Sequence, residues 1–311
     1  MSMKAIMYHY VRPSDANLPF LKHLHFDDFK LQLDYFENTY GIINQDEFIN
    51  SLRTGEAVKG VVLTFDDALS CHYDFVYKEL KRRNLWGIFY VPTLMYSSDK
   101  ILDVHRIHIL LGMVESQLIY NELINLVTDE MCTDASKIEF KTLTYNTQKN
   151  DSYTNLVKRI LNYFISYEFR ETIIDQLMEK FIPEQNRQRS KFYITEEQIL
   201  EMQENGMTIG SHTASHPVLS KLNRVDQTKE IINSFSFLEQ TCKGLPYKTF
   251  CYPYGGFHSF NQDTVNVLNE NDCLFSFNVE HRDIVQSDLL NHKQELPRYD
   301  CNQFKFGQIR E

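Results

Sequence analysis

Two adjacent carboxylates and two histidines four residues apart are the groups in this 311-residue chain best suited to chemistry. Asp66 and Asp67 close the apolar run VVLTFDD (61–67), and His212 and His216 lie in SHTASHP (211–217). Neighbouring strand residues face opposite sides, and a buried carboxylate without a partner is costly. The pair is therefore expected just past the end of a strand, at a polar site that receives both. Capping of a following helix accounts for one Asp and leaves the second unexplained. On a helical turn, histidines four apart share one face and can ligate one metal ion. With one carboxylate they form a two-histidine, one-carboxylate set that leaves positions open for water and substrate. HxxxH alone is a common surface pattern; the aspartate pair is what raises its weight.

The elements that position these groups alternate between strand and helix patterns. Strands are expected at 4–8, 60–65, 87–91, 207–210, 248–252 and 274–279, with amphipathic helices at 73–84 and 226–243. Thr195-Glu-Glu-Gln198 is a capping-box start for a helix reaching Glu204, with Gly206 as its stop. Residues 101–190 break the rhythm with helical spacing such as SQLIYNELINLV and read as a helical insertion in a single catalytic domain spanning 1–311. The fold expected is α/β, a parallel (β/α) barrel or sheet with a helical excursion. Active sites of such architectures gather at the C-terminal strand ends. There the sequence delivers His9, Asp66 with Asp67, His212 with His216, and Pro253-Tyr254-Gly-Gly.

TFDD (64–67), HTASHP (212–217) and YPYG (252–255) resemble, in order and approximate spacing, the first three motifs of the polysaccharide deacetylase (NodB-homology, carbohydrate esterase) family. An early MYHxV and FxYPYG are similar to a branch in which the motif order is circularly permuted. The resemblance implies a distorted (β/α) barrel and metal-dependent removal of acetyl groups from sugars. It implies that Asp67, His212 and His216 hold one divalent metal ion, zinc foremost, and that Asp66 is the base. It implies that the backbone N–H of Tyr254, beside Pro253, faces the oxyanion, and that a histidine protonates the leaving amine. His9 is the first candidate for that acid, and His292 in Leu290-Asn-His292 competes with it. The third motif carries Cys251 where many members have an arginine that orients the base. Arg298 in LPRYD is the candidate replacement and joins Tyr254 and Pro253 among the substrate-side residues. The late aspartate-and-tryptophan motif is not evident, since the single tryptophan is Trp86.

Composition narrows the function classes. A formal net charge of −10 argues against a nucleic-acid binder with a broad basic face. No run approaches the ~20 apolar residues of a membrane span, and MSMKAIMYHYVRP lacks signal-peptide character. Six scattered cysteines without a CxxC pair fit reduced thiols, and the expected compartment is the cytoplasm. Asp103, His105 and His108 are expected as a helix cap and packing histidines, Cys71 as a buried helix cysteine, and most tyrosines as core. The expected activity is de-N-acetylation of an amino sugar, as a small, nucleotide-linked or lipid-linked intermediate of surface-polysaccharide assembly. The alternatives are a deformylase or other acyl-amide hydrolase on a non-polymer substrate, and a non-catalytic carbohydrate-binding protein on the same barrel. Cys251 in place of arginine is the feature that favours the last.

Overall fold

Apolar runs of β-branched and aromatic residues suit strands buried on both faces, as parallel strands are. A computed structural model describes residues 2–98, 100–132, 134–145, 150–184 and 191–310. Its strands are β1 (Met3–Tyr8), β2 (Val11–Arg12), β3 (Leu24–His25), β4 (Gly60–Asp66), β5 (Ile88–Val91), β6 (Thr208–Ser211), β7 (Lys248–Cys251), β8 (Cys273–Phe277) and β9 (Tyr299–Asp300). All six expected strands form, with ends shifted by one or two residues. The helices are α1 (Phe26–Thr39), α2 (Gln45–Thr54), α3 (Lys78–Arg83), α4 (Leu94–Ser97), α5 (Asp103–Met113), α6 (Ser116–Leu126) and α7 (Asp134–Leu143). They continue with α8 (Ser152–Arg159), α9 (Tyr167–Phe181), α10 (Glu196–Glu204), α11 (Arg224–Thr241), α12 (Gln262–Glu270) and α13 (Gln286–Asn291).

The chain divides into two compact units, one of Met1–Pro13, His23–Ser98 and Ser190–Glu311, the other of Ser14–Lys22 and Asp99–Arg189. In the first unit, seven strands form one parallel sheet in the order β8-β7-β6-β5-β4-β1-β9. The sheet curls until its edges meet through one segment. Residues 296–298, which lead into β9, bond back to β8 and its exit: Leu296 N–H to Ser276, Asn278 N–H to Leu296, and Glu280 and His281 N–H to Arg298. β9 itself pairs with β1. The second unit is helical: α5 packs on α9, and α6 on both α8 and α9. Segment 14–22 belongs to it, which the helical pattern of 101–190 did not announce. Residues 133, 146–149 and 185–190 of that expected insertion lie outside the described residues.

β4 shows how the alternation of strand faces aims the site. All seven of its residues are buried. Phe65 turns to one side, where its ring stacks with Phe89 at 4.8 Å and with Tyr8 at 5.2 Å. Thr64 and Asp66 turn to the other. Close approach of β6 to β5 depends on Gly210, where an added Cβ would sit 2.5 Å from the Tyr90 ring. The expected helix at 73–84 begins one residue early as a π-helix, His72–Tyr77, before continuing as α3. The helix expected at 226–243 runs from 224 to 241 because the Asn223 side chain caps it, accepting from the Asp226 N–H. Thr195 and Gln198 close the anticipated capping box reciprocally.

Candidate active site

Asp66 is the last residue of β4, still inside the strand, and Asp67 lies just beyond it. The expectation that both aspartates lie past the strand end is thus corrected for Asp66. A charge is tolerated in the strand because the interior face holds its partner. Arg298 donates from Nη1 to Asp66 Oδ1 at 2.9 Å and from Nη2 to Oδ2 at 2.8 Å. The same guanidinium reaches Thr64 Oγ1 at 2.9 Å and Cys251 Sγ at 2.8 Å, under the rings of Tyr90 and Phe277. Burial alone would push the Asp66 carboxyl up, but Arg298 more than offsets it and holds the group down at about 2. Burial pushes the Cys251 thiol up, so it keeps its proton and donates toward Asp66 Oδ2 at 3.5 Å. At 1% exposure Arg298 faces Asp66 and no open surface. Its expected grouping with the substrate-side residues is therefore corrected to a positioning contact on Asp66.

Asp67 leaves the strand with φ +88°, a left-handed conformation that turns its carboxylate away from the direction taken by Asp66. Its N–H is held by the Tyr90 carbonyl at 3.0 Å. His212 Nε2 and His216 Nε2 lie 3.5 Å and 3.4 Å from Asp67 Oδ1. The two histidines do not share a helical turn, which corrects the geometry assumed for HxxxH. Thr213 and His216 have positive φ, and Pro217 disfavours a helical His216. The loop instead wraps a carboxylate: Glu230 of α11 accepts from the N–H groups of Ala214 and Ser215 and from Ser215 Oγ. Thr213 Oγ1 accepts from the His216 N–H at 2.9 Å.

A carbonyl can only accept, so the 2.7 Å contact of His212 Nδ1 with the Cys251 carbonyl places the proton on Nδ1. Nε2 then offers a lone pair toward Asp67. Burial, with His216 adding to it, lowers His212 to about 4, so the ring is neutral. Asp67, His212 and His216 form one cluster of ligand atoms lying within 4.8 Å of one another. Ligands at ~2.0–2.1 Å from a tetrahedral zinc are about 3.3–3.4 Å apart, close to the 3.4 and 3.5 Å measured between these atoms. A direct imidazole–carboxylate hydrogen bond would be shorter, roughly 2.7–2.9 Å. The donor set therefore fits a divalent ion. Asp66, His212 and Cys251 form a second cluster of that size, but Arg298 already supplies the positive charge there.

His9, at the exit of β1, brings Nε2 to 3.9 Å from Asp67 Oδ2 with its side chain 38% exposed. His292 instead meets Glu295 at 3.4 Å on the surface. Tyr254 (φ +66°) is half-buried, with its ring 4.9 Å from that of His216, and Pro253 is buried beside it. Tyr8 and Tyr252 are core: Tyr8 donates to Gln32 and Tyr252 stacks on Phe260. Cys71 is buried at the start of the π-helix. Asp103 begins α5 and pairs with Arg106, and His105 is buried beside His108. Sequence reasoning missed Glu230, Thr64 and His72. Glu230 and His72 sit in no recognisable motif, Thr64 opens TFDD without a role assigned to it, and only their contacts across the fold reveal what they do.

Two aspartates and two histidines gather at the strand exits of the curled parallel sheet, the end at which (β/α) folds place their active sites. The family model for polysaccharide deacetylase matches residues 134–275, a span that includes HTASHP and YPYG and begins after the aspartate pair. Over that span the chain is similar to the polysaccharide deacetylases. The fold is similar to that of Streptococcus pyogenes deacetylase PplD, solved in complex with acetate (TM-score 0.59, 16% identity, 96% of this chain and 92% of that one). It is similar to a de-N-acetylase from Aggregatibacter actinomycetemcomitans (TM-score 0.51, 14% identity, 96% and 94%). A third likeness is IcaB from Ammonifex degensii (TM-score 0.50, 17% identity, 89% and 83%). At such identities the likeness establishes the fold, the distorted (β/α) barrel expected from the sequence. No curated protein matches the chain in sequence, and among the described residues no helix is long and apolar enough to cross a membrane.

Proposed function

We propose that this chain is a metal-dependent hydrolase that removes the N-acetyl group from an amino sugar. The observation that carries the proposal is the spacing of Asp67 Oδ1 from His212 Nε2 and His216 Nε2, 3.5 and 3.4 Å, beside an Asp66 fixed by Arg298. Asp67, His212 and His216 would hold a divalent ion, zinc first, which when bound would supply Lewis acidity toward the acetyl carbonyl and lower the pKa of water. A carboxylate has about four acceptor positions. Arg298 uses two of those on Asp66 and the Cys251 thiol a third, which leaves one to take the proton of the attacking water. The Tyr254 backbone N–H faces the oxyanion, with buried Pro253 fixing its approach. His9, partly exposed and near Asp67, gives a proton to the departing amine.

The substrate class extends the family's chemistry: an N-acetylated sugar, with a nucleotide-linked or lipid-linked intermediate as the form proposed. The Streptococcus pyogenes protein of similar fold is a deacetylase solved with acetate, the acid that cleavage of an N-acetyl group would release, which favours acetyl over formyl. The non-catalytic alternative rested on Cys251, and the Arg298–Asp66 contact removes its reason. The test is incubation with nucleotide-linked, lipid-linked and oligomeric N-acetyl sugars, followed by mass spectrometry for a mass loss of one acetyl group. Chelation should abolish the product and added zinc or cobalt restore it. No product from any sugar with metal-loaded protein would sink the proposal.

A further inference from the structure

We infer that His72 is a positioning residue for His9, holding the proton donor at its station over Asp67; this deepens the hydrolase reading above. His72 is wholly buried in the first turn of the π-helix that follows the aspartate pair. Single π-helical turns recur at functional sites because they re-aim side chains. Here the turn sends the imidazole back across the end of β1. His72 Nε2 lies 2.7 Å from the backbone carbonyl of His9, and a carbonyl can only accept, so Nε2 carries the hydrogen. The ring is wedged edge-on against Phe65 and Phe89, at centroid distances of 5.9 and 6.0 Å, so it has no room to swing away. Nδ1 is buried and has no hydrogen-bond partner among the described residues. Burial correspondingly lowers the group to about 4.

The cost of an imidazole with one orphaned nitrogen in an aromatic core is one that phenylalanine at 72 would avoid. What histidine adds is the single bond to His9. That bond links the strand exit carrying His9 to the segment carrying Asp67 five residues upstream of His72. His9 is far more exposed than Asp67 beside it, 38% against 2%, and lies on the short connection between β1 and the two-residue strand β2. A proton donor displaced by about 1 Å loses on the order of 100-fold in rate. His72 restrains that displacement without touching substrate.

Three forms of the protein test this: wild type, His72→Phe, which keeps the packing and loses the donor, and His72→Gln, whose Nε2–H takes the imidazole's place. The expected result is a kcat about 10- to 100-fold lower in His72→Phe with KM and metal content within about twofold. His72→Gln should recover most of that loss. A purely structural role would lower the melting temperature of both variants while leaving kcat of the folded fraction unchanged. Equal kcat in wild type and His72→Phe, or no recovery in a folded His72→Gln, overturns the inference. The Nε2–H of His72 should also give a slowly exchanging imidazole proton signal by NMR in the wild type, read without any substrate. Its absence likewise overturns the inference. Its presence in a protein that deacetylates no sugar would count against the hydrolase reading alone.

Discussion

Replacing Arg298 with methionine isolates the interaction that holds the interior of the barrel together. The side chains are similar in length, but methionine leaves Asp66 ionised at 2% exposure with both of its guanidinium bonds gone. Breaking a buried ion pair from one side costs about 3–5 kcal/mol, because the remaining charge stays desolvated. Removing both charges costs much less, so Arg298→Met combined with Asp66→Asn should recover most of the loss and leave a deficit of roughly 1 kcal/mol. The sign of the pH dependence gives a second signature. In the wild type the Asp66 carboxyl is held down at about 2, so its contribution is present above the unfolded value and lost in acid. In Arg298→Met the main opposition to burial is gone, and the folded value rises above the unfolded one. The variant's deficit should therefore shrink as pH falls from 7 toward 5. Urea unfolding followed through Trp86, the single tryptophan and a buried one, measures all of this. A single variant within about 1 kcal/mol of wild type, or a double variant no more stable than the single, would refute the account.

Asp66→Asn should keep about one metal ion per chain while turnover falls about 10²–10⁴-fold, whereas Asp67→Asn should lose the ion; elemental analysis with kinetics separates them, and equal loss of metal would undo the division of roles. His9→Ala should retain metal and lose most turnover, about 10²-fold or more, while His292→Ala, altering a surface contact with Glu295, should stay near wild type; the reverse pattern returns the acid role to His292. Away from the site, hydrogen bonds from Arg82 and Arg83 hold Glu79 at about 2 against the opposing effect of burial. Its contribution is present above pH ~4.5 and lost as pH falls toward ~2. Glu79→Gln should lower stability at pH 7 by roughly 1 kcal/mol after solvent screening and narrow that gap in acid; an unchanged gap from pH 7 to 3 would refute it.

Strands were legible because a parallel strand buried on both faces is a continuous apolar run, and GVVLTF or KTFC has no competing periodicity. β9 was not, because Tyr299-Asp300 is two residues long and polar, with no pattern to detect. Its importance is topological, since it and the residues before it join β8 to β1. The π-helix at 72–77 was equally invisible, since no sequence pattern separates it from an α-helix. Segment 14–22 joins the helical unit through contacts that local sequence does not encode.

The same distinction runs through the site. Asp66, Asp67, His212 and His216 were singled out because few structural roles demand such residue types in such short motifs. The error over HxxxH came from assigning a helix to a spacing that a loop also satisfies once a carboxylate, Glu230, gathers its N–H groups. Glu230 is 14 residues beyond His216 and on a surface helix pattern, so nothing local marks it. Arg298 was legible only as a gap to be filled, since Cys251 left the base without a guanidinium. Physical chemistry then narrows the choice: a strand-borne carboxylate facing the interior requires an interior cation, and a cation is cheap to bury only where its donors are matched. Arg298 meets most of that demand with two bonds to Asp66, one to Thr64 and one to the Cys251 sulfur, and only its Nε has no partner among the described residues. A lysine there would match the charge without the fork that engages both carboxylate oxygens at once.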